Sequence, residues 1–255
     1  RLSVVVERTA PAADACRHTM ITKGALRNVL DACVDARTRR DTGVLRTVPM
    51  AEVRASLQER FEFYSEQGYR VLGIAVRDVT GDPIINKDDE QEMTFIGFLL
   101  LEDPPKAGAL DAIRELSQLG VALKIITGDN RLVAGRLGRL MELERPSVIT
   151  GEELRGLSDT ALLQRVGEVD IFAETEPNQK ERILTALRKA GNVVGYLGDG
   201  INDASALHAA DVGISVESAV DVAKEAADIV LLERDLAVLA QGVRLGRQTF
   251  ANTLK

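Results

Sequence analysis

Beyond residue 100, four short stretches carry side chains suited to chemistry on a phosphoryl group. They are Asp103-Pro104-Pro105, Thr127-Gly128-Asp129-Asn130, Thr175-Glu176-Pro177 with Lys180 a turn later, and Gly198-Asp199-Gly200-Ile201-Asn202-Asp203. Carboxylates hold a hard cation such as Mg2+ through oxygen. A hydroxyl and free backbone N–H groups grip phosphoryl oxygens, and a lysine offsets the charge that builds in the transition state. The glycines on either side of Asp199 let the backbone turn sharply and approach a phosphate. Asn202 or Asp203 would cap the following helix and leave its N-terminus pointed at an anion. Each stretch taken singly is an ordinary turn or a solvated charge. Their co-occurrence, in an order that suits one site, is what singles them out.

Each stretch follows an apolar run, which is how a sheet would bring them together. "FIGFLLLE", "VALKIIT", "DIFAE" and "NVVGYLG" read as strands, as do segments near "SVIT", "DVGIS" and "DIVLL". Helices are expected over 107–119, 131–141, 177–189, 202–210, 218–226 and from Leu236 onward. Near-continuous apolar strands alternating with helices imply a parallel sheet covered on both faces. Ligands of such sheets gather at the carboxyl ends of the strands.

The first part of the chain has a different texture. "LSVVVE" and "RHTMIT" read as strands, and "GALRNVLDACV" as a helix starting at Gly24. A long helix is expected from Pro49 to Gln67, with the proline in its first turn. "YRVLGIAVRDV" alternates like a strand with Arg70 near its start, and "TGDPIINKDDEQE" reads as a surface hairpin or loop.

Composition narrows the function classes. Of 255 residues, 45% are hydrophobic and 28% charged, as in ordinary globular proteins. Aromatics make up 4% and tryptophan is absent, which excludes a stacking platform for single-stranded nucleic acid. A net charge of −7 excludes nucleic acid as a general partner and leaves no basic stripe for anionic lipid. Cys16 and Cys33 form no CxxC pair and fit free thiols. Cys16 and His18 lack a second ligand pair, so a strand is the preferred reading over a metal site. No apolar stretch approaches the ~20 residues that span a bilayer. The abrupt start at Arg1 and the unfinished helix at Lys255 lead us to expect a soluble piece of a longer polypeptide.

The "TGD" of Thr127–Asp129 and the "GDGINDASAL" of Gly198–Leu207 resemble the cytosolic machinery of P-type ATPases, ion pumps of the haloacid-dehalogenase superfamily. "DPP" at 103–105, Pro177-x-x-Lys180 and "KGA" at Lys23–Ala25 match as well, so the resemblance covers nearly the whole chain. It implies an α/β fold: a Rossmann-like, haloacid-dehalogenase-like phosphorylation domain over 96–255, its first strand missing and its end a stalk helix. A smaller α+β nucleotide-binding domain would occupy 1–95. The implied cofactors are ATP and Mg2+. Lys23 and Gly24 would line the adenine pocket, and Arg70 would reach the phosphate or ribose. From the residues alone, Lys23 is equally a helix-start charge. Thr127 and Gly128 would hold the transferred phosphoryl group, with Asp129 near the nucleotide. Lys180 would stabilise the phosphoryl charge, Asp199 would bind magnesium, and Asn202 and Asp203 would support that site.

The resemblance further implies a cation passing through membrane helices outside this chain, at the cytoplasmic face of the plasma membrane. The wording of residues 216–255 points to Mg2+ as that cation. Pumps for Ca2+ or H+, a soluble phosphatase of the same superfamily, and a non-catalytic nucleotide-binding module are the alternatives. Two departures stand out. The family's "DKTGT" nucleophile loop is absent, and Asp41-Thr42-Gly43 has no apolar strand before it, so the attacking aspartate is expected outside this chain. Ser205 stands where the family usually has proline, a preorganising position rather than a catalytic one.

Overall fold

Alternating apolar and polar residues make strands of Leu2–Glu7 (β1), His18–Ala25 (β2) and Arg70–Val79 (β5), joined antiparallel in a computed structural model. The structure describes residues 1–7, 18–39, 44–79, 84, 86–102, 104, 106, 108–143, 145–233 and 236–254. Cys16, the Asp41-Thr42-Gly43 loop, and Asp103 and Pro105 of "DPP" lie outside the described residues.

Arg1–Asp103 forms one unit and Pro104–Lys255 a second. In the first, a six-stranded sheet runs in the order β1-β2-β5-β6-β3-β4, with β3 (Cys33–Arg39), β4 (Leu45–Pro49) and β6 (Met93–Leu101) completing it. Among the described residues of this unit, only the β3–β6 pair is parallel. Helices α1 (Leu26–Leu30) and α2 (Met50–Glu66) contribute to the core on one face, where Met20, Ala75, Met93 and Phe95 pack with Leu26, Val29 and Met50. The register Leu2–Lys23–Ile74 runs along the other face, which stays partly open to solvent.

Three expectations are corrected here. The helix expected from Gly24 shrinks to Leu26–Leu30, because Lys23 and Gly24 continue β2. Gly24 faces Gly73 across the ladder, and the missing side chains make room for α1: a Cβ at Gly73 would lie 3.2 Å from Val29 Cβ. Pro49 precedes α2 as its N-cap instead of opening its first turn. "FIGFLLLE" falls within β6 of this first sheet, paired antiparallel with β5, instead of opening the parallel region. An apolar run does not reveal which sheet receives it.

The second unit holds α3 (Ala109–Gln118), β7 (Ile125–Ile126), α4 (Arg131–Leu140), β8 (Val148–Thr150), α5 (Gly151–Gly156) and α6 (Asp159–Arg165). Then follow β9 (Ile171–Ala173), α7 (Pro177–Lys189), β10 (Gly195–Leu197), α8 (Ala204–Ala209), β11 (Val212–Val216), α9 (Asp221–Glu225), β12 (Ile229–Leu231) and α10 (Ala237–Thr253). The strands are parallel, as expected, but the continuous sheet is replaced by two of three strands each, β7-β9-β8 and β10-β11-β12. Among the described residues, β7 and β10 each have a ladder partner on one side only. Val193, at the entry to β10, is 87% exposed, although its apolar run reads as buried. One core nevertheless spans both sheets: Ile149 and Phe172 from one, Tyr196 from the other, with Ile183, Leu184 and Leu187 of α7.

Candidate functional site

Helix α7 sets the site's geometry. Pro177 occupies its first turn, where a missing N–H costs nothing, and Gln179 Oε1 accepts the Glu176 N–H at 2.9 Å. Ile183, Leu184 and Leu187 turn one face into the core. Lys180, one turn in from the start, donates from Nζ to Asp203 Oδ1 at 2.7 Å.

Asp203 closes a short 3-10 turn, Ile201–Asp203, just after β10. The Tyr196 hydroxyl donates to the same Oδ1 at 2.7 Å, and the Gly200 N–H donates to Oδ2 at 3.0 Å. The residue is 7% exposed. Burial pushes its carboxyl up, but the hydrogen bonds from Lys180, Tyr196 and Gly200 outweigh this and hold it below the usual range. Burial, and then the bond to Asp203, push the Tyr196 phenol well above its ordinary value. The expected helix cap is corrected: Asp203 precedes α8 but makes no side-chain cap bond, because its oxygens are turned to these donors.

The loop carrying Asp199 is pinned from behind. Ser215 Oγ, fully buried on β11, donates to the Gly198 carbonyl at 2.9 Å, and the Val220 N–H donates to the Asp199 carbonyl at 3.2 Å. A Cβ at Gly198 would fall 2.7 Å from Asp203 Cβ, so only glycine allows this approach. The Asp199 side chain is exposed, as is Asn202. Among the described residues, no three His, Cys, Asp or Glu side chains gather into a metal cage.

The Thr127 loop lies at the end of β7. Thr127 Oγ1 donates to Asp129 Oδ2 and accepts the Asp129 N–H, both at 3.1 Å. Asn130 caps α4, accepting from the Leu132 and Val133 N–H groups at 3.0 Å. Thr175 fixes the loop from β9's side: its N–H and its hydroxyl both donate to the Thr127 carbonyl at 3.0 Å. Gly128 is exposed. Two hydrogen-bonded groups result: Thr127 with Asp129 and Thr175, and Asp203 with Lys180, Tyr196 and Gly200, with Thr175 and Lys180 on the same chain segment that runs from β9 into α7.

In the first unit, Lys23 and Arg70 are exposed on the same open face. Lys23 pairs with Ile74, four residues along β5 from Arg70, a separation of about 13 Å at the rise of a strand. Leu72 and Ile74 lie between them. Gly24 falls on the opposite, helix-covered face, where an added Cβ would lie 3.2 Å from Arg1 Cα and 3.6 Å from Val29 Cγ2.

Sequence reasoning missed Tyr196 and Ser215, and singled out Thr175 without giving it a partner. Tyr196 reads as one more apolar strand residue, and nothing in its spacing reveals the partner of its hydroxyl. Thr175 stands in a stretch already singled out. It could have been found by asking what holds the Thr127 carbonyl.

Residues 1–108 match the family model described as P-type ATPase, cytoplasmic domain N. The chain belongs to the P-type ATPases. Over its full length it is 44% identical to a magnesium-transporting ATPase, P-type 1, of Salmonella typhimurium, of which it covers 28%. A protein of the same description from Escherichia coli K12 is 39% identical, again over the full chain and 28% of the relative. A rat calcium-transporting ATPase, type 2C member 2, is 34% identical over 90% of the chain and 23% of the relative. The chain thus spans about a quarter of the length of these relatives. Among the described residues, no helix is long and apolar enough to cross a membrane.

Proposed function

We propose that this chain is the cytosolic catalytic portion of an ATP-driven cation pump. The first unit would bind ATP on its open sheet face, with Lys23 beside the base, Arg70 towards the phosphates and the aliphatic Leu72 and Ile74 beneath. Gly24 would serve this site from behind, where its missing side chain lets Arg1 approach the strand. The second unit would carry out phosphoryl transfer to an aspartate outside the chain, on a strand that would fill the place between β7 and β10 and complete a haloacid-dehalogenase-like sheet.

Thr127 and the N–H groups of Gly128 and Asp129 would receive the phosphoryl oxygens. Lys180 would offset the charge that builds on them. Mg2+ is commonly held by one or two carboxylates together with water and substrate phosphate, and the exposed Asp199 carboxylate fits that donor set. Bound there, the ion would supply positive charge against the phosphoryl oxygens. Asp203, its oxygens already accepting three donors, would support this site from behind, with Asn202 at the rim. The Lys180–Asp203 contact carries this reading, because it sets a cation against the carboxylate of the loop that leaves β10, while the Thr127 loop is tied to the segment that leads into α7.

Mg2+ is the proposed cargo, since relatives named for magnesium transport match the whole chain at 39–44% identity, against 34% over 90% of the chain for a calcium-named one. The site would work at the cytoplasmic face of a membrane, attached to membrane helices elsewhere in the pump. The test is acyl-phosphate formation from radiolabelled ATP. The full-length protein should take up label in a Mg2+-dependent way, and Asp199→Asn should weaken that dependence. This chain alone should take up none. Stable labelling of the isolated chain would overturn the assignment of the nucleophile, and unchanged kinetics in Asp199→Asn would remove Asp199 from the metal site.

A further inference from the structure

Asp203 Oδ1 accepts two hydrogen bonds of equal length, from the Lys180 ammonium and the Tyr196 hydroxyl, each 2.7 Å. Its other oxygen accepts the Gly200 N–H. The carboxylate and the phenol are both buried, Tyr196 being 9% exposed within the core that spans the two sheets. A lysine paired with a lone buried carboxylate is hard to move, because withdrawing the ammonium strands a charge away from water. Here the carboxylate would keep two donors after the ammonium left.

Resting on the phosphoryl-transfer role proposed for Lys180, we infer that Tyr196 is a positioning residue whose hydroxyl holds Asp203 while the ammonium turns onto the incoming phosphoryl oxygens. The phenol occupies one acceptor site on Oδ1, which weakens the grip of that oxygen on Lys180. It also keeps the carboxylate fixed between β10 and the 3-10 turn, so the Asp199 loop stays in place as the ammonium moves. Tyr196 cannot itself reach for the phosphate, because its ring is packed into the core and its hydroxyl is committed to Asp203. Phenylalanine would fill the same core volume and leave Oδ1 to Lys180 alone. The salt bridge would then tighten, and each turnover would have to break it without compensation.

The experiment is done in the full-length pump. Tyr196→Phe should slow acyl-phosphate formation at saturating ATP by about ten- to a hundredfold, the worth of one hydrogen bond to a charged group, and leave the KM for ATP unchanged. In an Asp203→Asn background no buried charge needs the phenol, so the same substitution should change the rate by less than about twofold. A purely structural tyrosine would slow both backgrounds equally. Equal slowing, or none in Tyr196→Phe, overturns the inference. Should Tyr196→Phe fail to fold, replacement of Tyr196 by its ring-fluorinated analogue keeps the size and strengthens the donor; this should raise the rate, and an unchanged or lower rate counts against the inference. Lys180→Met, measured alongside, separates the two layers: if it forms the acyl phosphate at the parent rate, the role of Lys180 itself fails, whatever Tyr196 does.

Discussion

Lys180 Nζ and Asp203 Oδ1, 2.7 Å apart, tie together two sheets that share no ladder among the described residues. Lys180 stands on the helix that leaves β9, and Asp203 on the turn that leaves β10. The side chains are 15% and 10% exposed, so water screens the pair poorly and each partner depends on the other.

Removing the cation should therefore be costly to the fold as well as to the chemistry. Lys180→Met leaves Asp203 with two donors, and we expect a loss of about 3 kcal/mol from the second unit, at the lower end for a broken buried pair. Adding Asp203→Asn should recover part of it, because the stranded charge is gone. Chemical denaturation of the single and double variants checks both statements.

Acid should weaken the same region. The Asp203 carboxyl is held below its ordinary range in the folded protein, despite burial, by Lys180, Tyr196 and Gly200. A carboxyl with a depressed folded pKa contributes stability that is complete above its unfolded value, about 3.9 for aspartate. That contribution is lost as pH falls from there through the folded value. The unfolding free energy of the parent should thus fall more steeply below about pH 4 than that of Asp203→Asn. Parallel curves for the two proteins would show that Asp203 does not carry the effect.

On the first unit, Lys23→Ala and Arg70→Ala should each weaken nucleotide binding by about tenfold, equivalent to ~1.4 kcal/mol, and leave the thermal midpoint nearly unchanged, since both side chains are exposed. Gly24→Ala should do the reverse. Its new Cβ would meet Arg1 Cα at 3.2 Å on the helix-covered face, costing about 1 kcal/mol of stability with little effect on affinity. Titration calorimetry beside thermal melts separates the two outcomes, and nucleotide-induced shifts should fall on Leu72 and Ile74.

Glycines offer a contrast within the second unit. Gly198→Ala would press a methyl group against Asp203 Cβ at 2.7 Å and Tyr196 Cε1 at 2.9 Å, and should destabilise by about 1–3 kcal/mol. Gly246→Ala, inside α10 with nothing within 4 Å of the new carbon, should stabilise by about 0.5–1 kcal/mol. Differential scanning calorimetry reads both signs.

Helix α7 was legible to the residue, because Pro177 marks its start and its apolar positions recur at helical spacing. The helix expected from Gly24 was not. "ALRNVLDACV" has a helical period, yet Cys33 finds a place beside Met93 in the sheet and ends the helix after one turn and a half. That the loops carrying Lys180 and Asp203 meet could be read from where each follows its strand. The resemblance implied a missing first strand, but not that the sheet would divide between β7 and β10, because a sequence shows strands and not their neighbours. Hydroxyl partners such as that of Tyr196 are equally hidden, being fixed by distance across the core and not by spacing along the chain.

The half-paired strands β7 and β10 have a practical consequence for handling the isolated polypeptide. Each presents amide and carbonyl groups ready to ladder with any extended peptide that arrives. Concentrated samples should therefore self-associate through these rims, and a short added peptide of strand-forming sequence should keep them monomeric by docking there first.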